Sequence, residues 1–196
     1  MVLQSDPVHP DALHLLGLIA YQAGKTEQAV GFIRQAISAN KRVSDYYKTL
    51  VTVLIAVDRL GEAEACLREM LVIIPSSNAH NNLGSVLQKQ GRISEAIECY
   101  RRAAKLDPDN STIWNNLGSA LHAAEELDES ARCYRRALTI APEYCDAILN
   151  LGNVLIAKGL NDEGIQTYRR LILMSVQIEI NNPRPAGQAA QSLSIL

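Results

Sequence analysis

Large rings are scarce in this chain: aromatic residues are 5% of the 196, with a single Phe and a single Trp. So few rings, set among much Ala, Leu and Gly, point to close-packed helices rather than a β-sandwich. A basic excess is also missing. Lys and Arg number 19 against 21 Asp and Glu, a formal net charge of -2, which argues against a dedicated nucleic-acid binder. No apolar run approaches the roughly 20 residues that span a bilayer, so no membrane partner is expected. The stretch Met1 to Asp6 carries no positive charge, and the apolar run from Leu13 to Ala20 lacks the basic flank of a secretory signal. The first residues therefore read as structure and the compartment as the cytoplasm. Four Cys are too few for a disulfide scaffold. With 47% hydrophobic residues and low net charge, disorder is not expected either.

Catalytic signatures are missing too. The four His are His9, His14, His80 and His122, and none belongs to a His-Glu-x-x-His pair. There is no Gly-x-Gly-x-x-Gly, no phosphate-binding Gly-x4-Gly-Lys-Ser/Thr loop and no Gly-x-Ser-x-Gly elbow. The chain reads as non-catalytic, with no cofactor-binding or metal-binding residue assigned.

What is present is a repeat. Leu83-Gly84 recurs as Leu117-Gly118 and Leu151-Gly152, 34 residues apart each time. Tyr100, Tyr134 and Tyr168 keep the same interval, as do the small residues Ala96, Ser130 and Gly164, and then Ala103, Ala137 and Leu171. Upstream, Leu50-Val51 and Leu16-Gly17 continue the pattern, with Ala29 and Ala63 at the small position and Ile33 and Leu67 at the large one. Pro75, Pro108 and Pro142 close three units. The phasing defines five units, 10–43, 44–76, 77–110, 111–144 and 145–178, with the second one residue short between Pro75 and His80. Residues 1–9 read as the remnant of a preceding unit. Residues 179–196 read as an irregular tail, because Val176 replaces the closing Pro, the pattern fades from Met174 to Ile180, and Asn182-Pro183 reads as a helix stop.

Each unit reads as two helices. In the third, His80, Leu83, Gly84 and Leu87 share one face of a first helix, Gly91 breaks the chain, and Ala96, Tyr100 and Ala103 share a face of a second. Gly84 and Ala96 allow close approach, Ala103 receives the next unit, and Pro108 stops the second helix. One such pair cannot bury its apolar face alone, so stability must come from stacking.

This spacing resembles the tetratricopeptide repeat, whose pattern is Trp-x2-Leu-Gly-x2-Tyr, then Ala-x3-Phe, then Pro over 34 residues. The fourth unit carries Trp114, Leu117-Gly118, Leu121, Ser130, Tyr134 and Pro142. The resemblance covers residues 10 to about 173. It implies an all-α fold of helix-turn-helix repeats stacked in a right-handed superhelical solenoid, first helices inside and second helices outside.

Just before each Leu-Gly stand Asn82, Asn116 and Asn150. Residues four before, three after and seven after share that helical face: Asn78, Ser85 and Lys89; then Thr112, Ser119 and Ala123; then Asp146, Asn153 and Ala157. The peptide-binding candidates in the concave groove are thus Asn78, Asn82, Ser85, Lys89, Asn116, Ser119, Asn150 and Asn153. Asn inside a helix costs up to about 0.7 kcal/mol relative to Ala, and a carboxamide offers donors and an acceptor for an extended peptide backbone. The alternative is that these are solvated residues copied by duplication. Leu15 and Thr49 replace Asn in the first two units. The array of O-linked N-acetylglucosamine transferases (SPINDLY-like proteins) carries a similar asparagine ladder.

Cys66, Cys99 and Cys133 sit at one equivalent position and read as small, half-buried side chains, since metal ligands must converge. Tyr-Arg-Arg at 100–102, 134–136 and 168–170 reads as a solvated outer stripe, its arginines paired within helices with residues such as Glu98 or Glu129. The functional expectation is a scaffold that binds a protein or extended peptide in its groove. The alternatives are the substrate-recognition region of a larger glycosyltransferase, or self-association through uncapped ends.

Overall fold

The structure is a computed structural model and describes residues 9–181, with side chains through Met174. Residues 1–8, and with them the expected remnant of a preceding unit, lie outside the described residues, as does the tail from residue 182. Among the described residues run ten α-helices and no strand. They are α1 (Pro10–Gln22), α2 (Thr26–Ala39), α3 (Ser44–Ala56), α4 (Leu60–Ile73), α5 (Ser77–Lys89), α6 (Ile93–Leu106), α7 (Ser111–Ala123), α8 (Leu127–Ile140), α9 (Cys145–Ala157) and α10 (Asn161–Asn181). They pair in chain order, α1 with α2 through α9 with α10, and each second helix packs on the next first helix. The result is an all-α solenoid.

The turn inside each pair recurs with one backbone conformation. Gly24, Asp58, Gly91, Glu125 and Gly159 have φ of 74°, 58°, 76°, 63° and 77°. Glycine adopts this left-handed region at no steric cost. Two units place Asp and Glu there instead. The linkers between pairs absorb the length variation: the residue missing from the second unit falls between α4 and α5, leaving both helices at full length.

Packing within a pair rests on a glycine under a large side chain. A β-carbon at Gly84 would stand 2.8 Å from Tyr100 Cε1, and Gly118 bears the same relation to Tyr134. At Gly17 the nearest atom is Ile33 Cγ1, at 2.5 Å. The second unit solves the same contact with two medium side chains, Val51 and Leu67, both buried. Between pairs, fully buried Ala103 clusters with Ala104 and with Ile113 of α7, and Trp114 packs against them. Trp114 also donates its indole N–H to the Pro108 carbonyl at 2.8 Å, which ties the linker down.

The second helices are joined by ion pairs one unit apart: Arg34 with Glu62, Arg101 with Glu129 at 3.1 Å, and Arg135 with Glu163 at 3.4 Å. Arg136 reaches the Pro108 carbonyl at 3.4 Å and Asp109 at 3.0 Å, and Arg170 donates to the Pro142 carbonyl. The arginine stripe therefore pairs mainly across units rather than within helices; Arg101 with Glu98 at 3.7 Å is the intrahelical case. The physical reason is reach. The long side chain of the arginine at the ninth residue of one second helix spans to the glutamate at the third residue of the next, 28 residues on.

One further expectation is corrected. Cys66, Cys99 and Cys133 are buried rather than half-buried, and all four cysteines are free. Burial pushes the Cys66 and Cys133 thiols up to about 12, which keeps them neutral and inert. In the last unit α10 continues to Asn181, directly before the Asn182-Pro183 read as a helix stop, and the rest of the expected tail lies outside the described residues. Val176 stands where Pro75, Pro108 and Pro142 close earlier units, so nothing there removes a backbone donor from the helix. No helix among the described residues is long and apolar enough to cross a membrane.

Candidate functional site

The five first helices form one wall of the solenoid, and it is the tighter wall. The same-layer helices in closest backbone approach are all first helices: α1 with α3, α5 with α7, and α7 with α9. A stack closer on one side bends toward that side. The first-helix face is therefore the inside of the curve.

Hydrogen bonds run along this face from unit to unit. Asn116 donates its side-chain N–H to Asn81 Oδ1 at 3.0 Å, and Asn150 donates to Asn115 Oδ1 at 3.1 Å. In the first two units His14 Nε2 and Thr49 Oγ1 meet at 2.8 Å in the equivalent places. Each bond joins the ladder position of one unit to the residue just before the ladder position of the preceding one. The series breaks once. Opposite Asn82 the earlier unit offers Lys48, a donor only, which turns to Asp45 at 2.9 Å. Asn82 is half-buried and its carboxamide has no partner among the described residues.

Asn116 and Asn150 thus spend one amide hydrogen on the fold and keep an oxygen and a second hydrogen for the face. Sequence reasoning missed the acceptors, Asn81 and the buried Asn115. The signal was present in the doublets Asn81-Asn82 and Asn115-Asn116, whose first members stand one residue off the ladder column.

A second polar row lies three residues on. Tyr168 donates its hydroxyl to Asn153 Oδ1 at 2.6 Å. The equivalent pairs are Tyr100 with Ser85 and Tyr134 with Ser119. Burial pushes the Tyr134 phenol up to about 12, with the Ser130 and Ser119 hydroxyls pulling the other way. Burial likewise raises Tyr100, and the Ser85 hydroxyl opposes it. Gln88, unremarked in the sequence, bridges units: it accepts from the Tyr100 hydroxyl at 3.2 Å and donates to Ser119 Oγ at 3.2 Å. Ser130 Oγ donates to the Gly118 carbonyl at 2.7 Å in the buried contact between α7 and α8.

The structure thus sets Asn82, Ser85, Asn116, Ser119 and Asn150 half-buried on one face, with Asn78, Lys89 and Asn153 exposed on it. Among the described residues no group of three or more His, Cys, Asp or Glu is placed to hold a metal ion. This face is equipped to exchange hydrogen bonds over a long, shallow track.

Comparison with known proteins bears on the architecture. A crystal structure of MamA superposes with a TM-score of 0.77 at 18% identity, covering 90% of this chain and 97% of that one. A crystal structure of YrrB, described as a TPR protein with an unusual peptide-binding site, gives 0.67 at 17% identity over 85% and 86%. At such identities the likeness shows the fold alone. Human tetratricopeptide repeat protein 7B is 28% identical over 110 residues, which is 55% of this chain but only 13% of that protein. The family model for the tetratricopeptide repeat matches residues 2–43 and 81–144, more than half of the sequence, and the chain belongs to the tetratricopeptide repeat family.

Proposed function

We propose that the protein is an interaction scaffold that binds a protein partner through an extended segment laid along its first-helix face. One observation carries this reading. Six positions in register across three units, Asn82, Ser85, Asn116, Ser119, Asn150 and Asn153, line the inside of the curve with side chains that all keep hydrogen-bonding capacity. An extended peptide has one donor and one acceptor per residue to satisfy. A track of amides and hydroxyls meets that need without demanding a fixed sequence. Affinity would come from many modest contacts, as net hydrogen bonds contribute about 0.5–1.5 kcal/mol each.

A photo-crosslinking amino acid placed at Asn82, and separately at Arg101 on the second-helix face, tests the reading. Crosslinks from position 82 to a defined segment of a partner, with none from position 101, are expected. A partner caught equally from both faces, or from 101 alone, overturns it.

The asparagine ladder also supports a second reading, that the array is the substrate-recognition region of a larger glycosyltransferase similar to O-linked N-acetylglucosamine transferases. The gene's reading frame beyond residue 196 decides this: a following catalytic domain supports it, and a stop codon argues for a free adaptor.

A further inference from the structure

The inner face is poor in charge, and the charges it has are placed. Across units three to five, the twelve positions of the face hold two ionisable side chains, Lys89 and Asp146. Several charges elsewhere are paired, among them Lys48 with Asp45 on the same wall, and Arg34, Arg92, Arg101 and Arg135 with glutamates on the outer wall. Lys89 and Asp146 are exposed and have no ion-pair partner among the described residues.

Their positions are diagonal. Lys89 is the last residue of α5, and Asp146 is the second residue of α9, two units further on. All first helices run the same way, so the two charges mark opposite edges of the face as well as opposite ends. A 13-residue helix rises about 18 Å. Two helix spacings add a similar distance. The diagonal is then about 25 Å, the span of roughly eight extended residues at 3.3 Å each.

Resting on the groove reading above, we propose that the bound segment is dipolar: an extended stretch, uncharged over its centre, with an acidic side chain that meets Lys89 and a basic side chain that meets Asp146 about eight residues away. The centre must be neutral because a charge there would lose water against amides and hydroxyls with no counter-ion. The ends must be opposite in sign because like charges at either position repel. The unpartnered Asn82 carboxamide lies two turns before Lys89 on the same helix, so the acidic end of the segment lies close to the best free donor of the ladder. The same arrangement predicts weak salt dependence for the centre and a discriminating role for the ends, since charge complementarity selects partners more than it tightens them.

The test uses the full chain and four ten-residue peptides with Ser, Ala, Asn and Gln in the centre, labelled for fluorescence anisotropy. Their second and ninth residues are Glu and Lys, Lys and Lys, Glu and Glu, or Gln and Gln. Expected is a preference of roughly fivefold for the Glu and Lys peptide over either like-charged one, the size that exposed pairs permit. Lys89→Glu, an exposed change away from the core, makes the face acidic at both ends and must shift the preference to the Lys and Lys peptide. Asp146→Lys must shift it to the Glu and Glu peptide. If all four peptides bind alike and neither variant moves the order, while Asn82→Ala still weakens binding, the dipolar assignment fails and the groove reading stands. If no peptide binds at all, both fall.

Discussion

Gly118 lies beneath the ring of Tyr134, so close that an added β-carbon would stand 2.8 Å from Cε1 and 3.0 Å from Cδ1. Tyr134 is 1% exposed and has nowhere to retreat. Gly118→Ala gains up to about 1 kcal/mol in helix propensity, but overpacking a filled core costs about 1–3 kcal/mol. The clash wins, and denaturant unfolding should show a net loss of about 1–2 kcal/mol. Gly118→Val with Tyr134→Leu copies the Val51 and Leu67 solution of the second unit and should recover most of that loss. A neutral Gly118→Ala would show that the ring yields freely.

Gly31 is the control. It lies inside α2, and a β-carbon there meets nothing within 4 Å. Gly31→Ala therefore keeps only the helix-propensity and chain-entropy terms, and should stabilise by about 0.5–1 kcal/mol. The two alanine substitutions are predicted to differ in sign, although both replace a helical glycine.

The contrast shows what could be read without coordinates. The 34-residue interval identified the helix pairs, because Leu-Gly and Tyr must recur wherever a first helix leans on a second. It could not show that Val51 with Leu67 fills the same space, since that compensation exists only across the contact. The ladder column was legible as Asn82, Asn116 and Asn150. Its inter-unit bonds were not, because Asn81 and Asn115 are set 35 residues before their partners, one off the repeat, and only the stagger of neighbouring helices explains the extra residue. The continuation of α10 to Asn181 agrees with a helix stop read at Asn182-Pro183. The repeat pattern of buried side chains fades before that, but backbone hydrogen bonding continues until something such as proline interrupts it.

Glu125 has φ of 63° in the turn between α7 and α8, where the first, third and fifth units have glycine. A non-glycine residue pays about 1–2 kcal/mol there, offset in part by the greater unfolded-state freedom of glycine. Glu125 is exposed, so its side chain gives little back. Glu125→Gly should raise stability by about 0.5–1 kcal/mol, and Gly91→Ala should lower it by a similar amount. Equal thermal midpoints for wild type and both variants would contradict the strain argument.

Burial holds the His80 imidazole below its ordinary 6.5, and the nearby Arg102 pushes it the same way. The ring nitrogen Nδ1 is buried without a partner. Below pH 6.5 the unfolded chain therefore binds a proton more readily than the folded one. The contribution of the neutral ring is whole above about 6.5 and is lost as the pH falls toward the folded value. Stability should decline as the pH falls below about 6.5, before the carboxylates near arginine titrate. His80→Tyr, which copies Tyr47 of the second unit, should flatten that window. Urea midpoints measured across it give the answer, and an unchanged slope would exclude His80 as the cause.

Asn82 and Asn116 occupy the same place in neighbouring units but should behave as opposites. Asn116 donates to Asn81 across the unit boundary, so removing it strands a half-buried acceptor. Asn116→Ala should cost about 1 kcal/mol, and the double-mutant cycle with Asn81→Ala should show a coupling of about 0.5–1.5 kcal/mol. Asn82 has no partner across its boundary because Lys48 is committed to Asp45. Asn82→Ala should leave stability within about 0.5 kcal/mol, and the better helix propensity of Ala even favours a small gain. Amide hydrogen exchange in α5 and α7 separates the two, since repeat arrays open locally along their length. Faster exchange in Asn116→Ala with unchanged exchange in Asn82→Ala is the expected pattern. A residue that adds nothing to the fold yet takes the less favourable side chain in a helix is free to serve the face it points from. Equal destabilisation by both would show that the ladder is structural throughout and would remove Asn82 as the anchor of a bound segment.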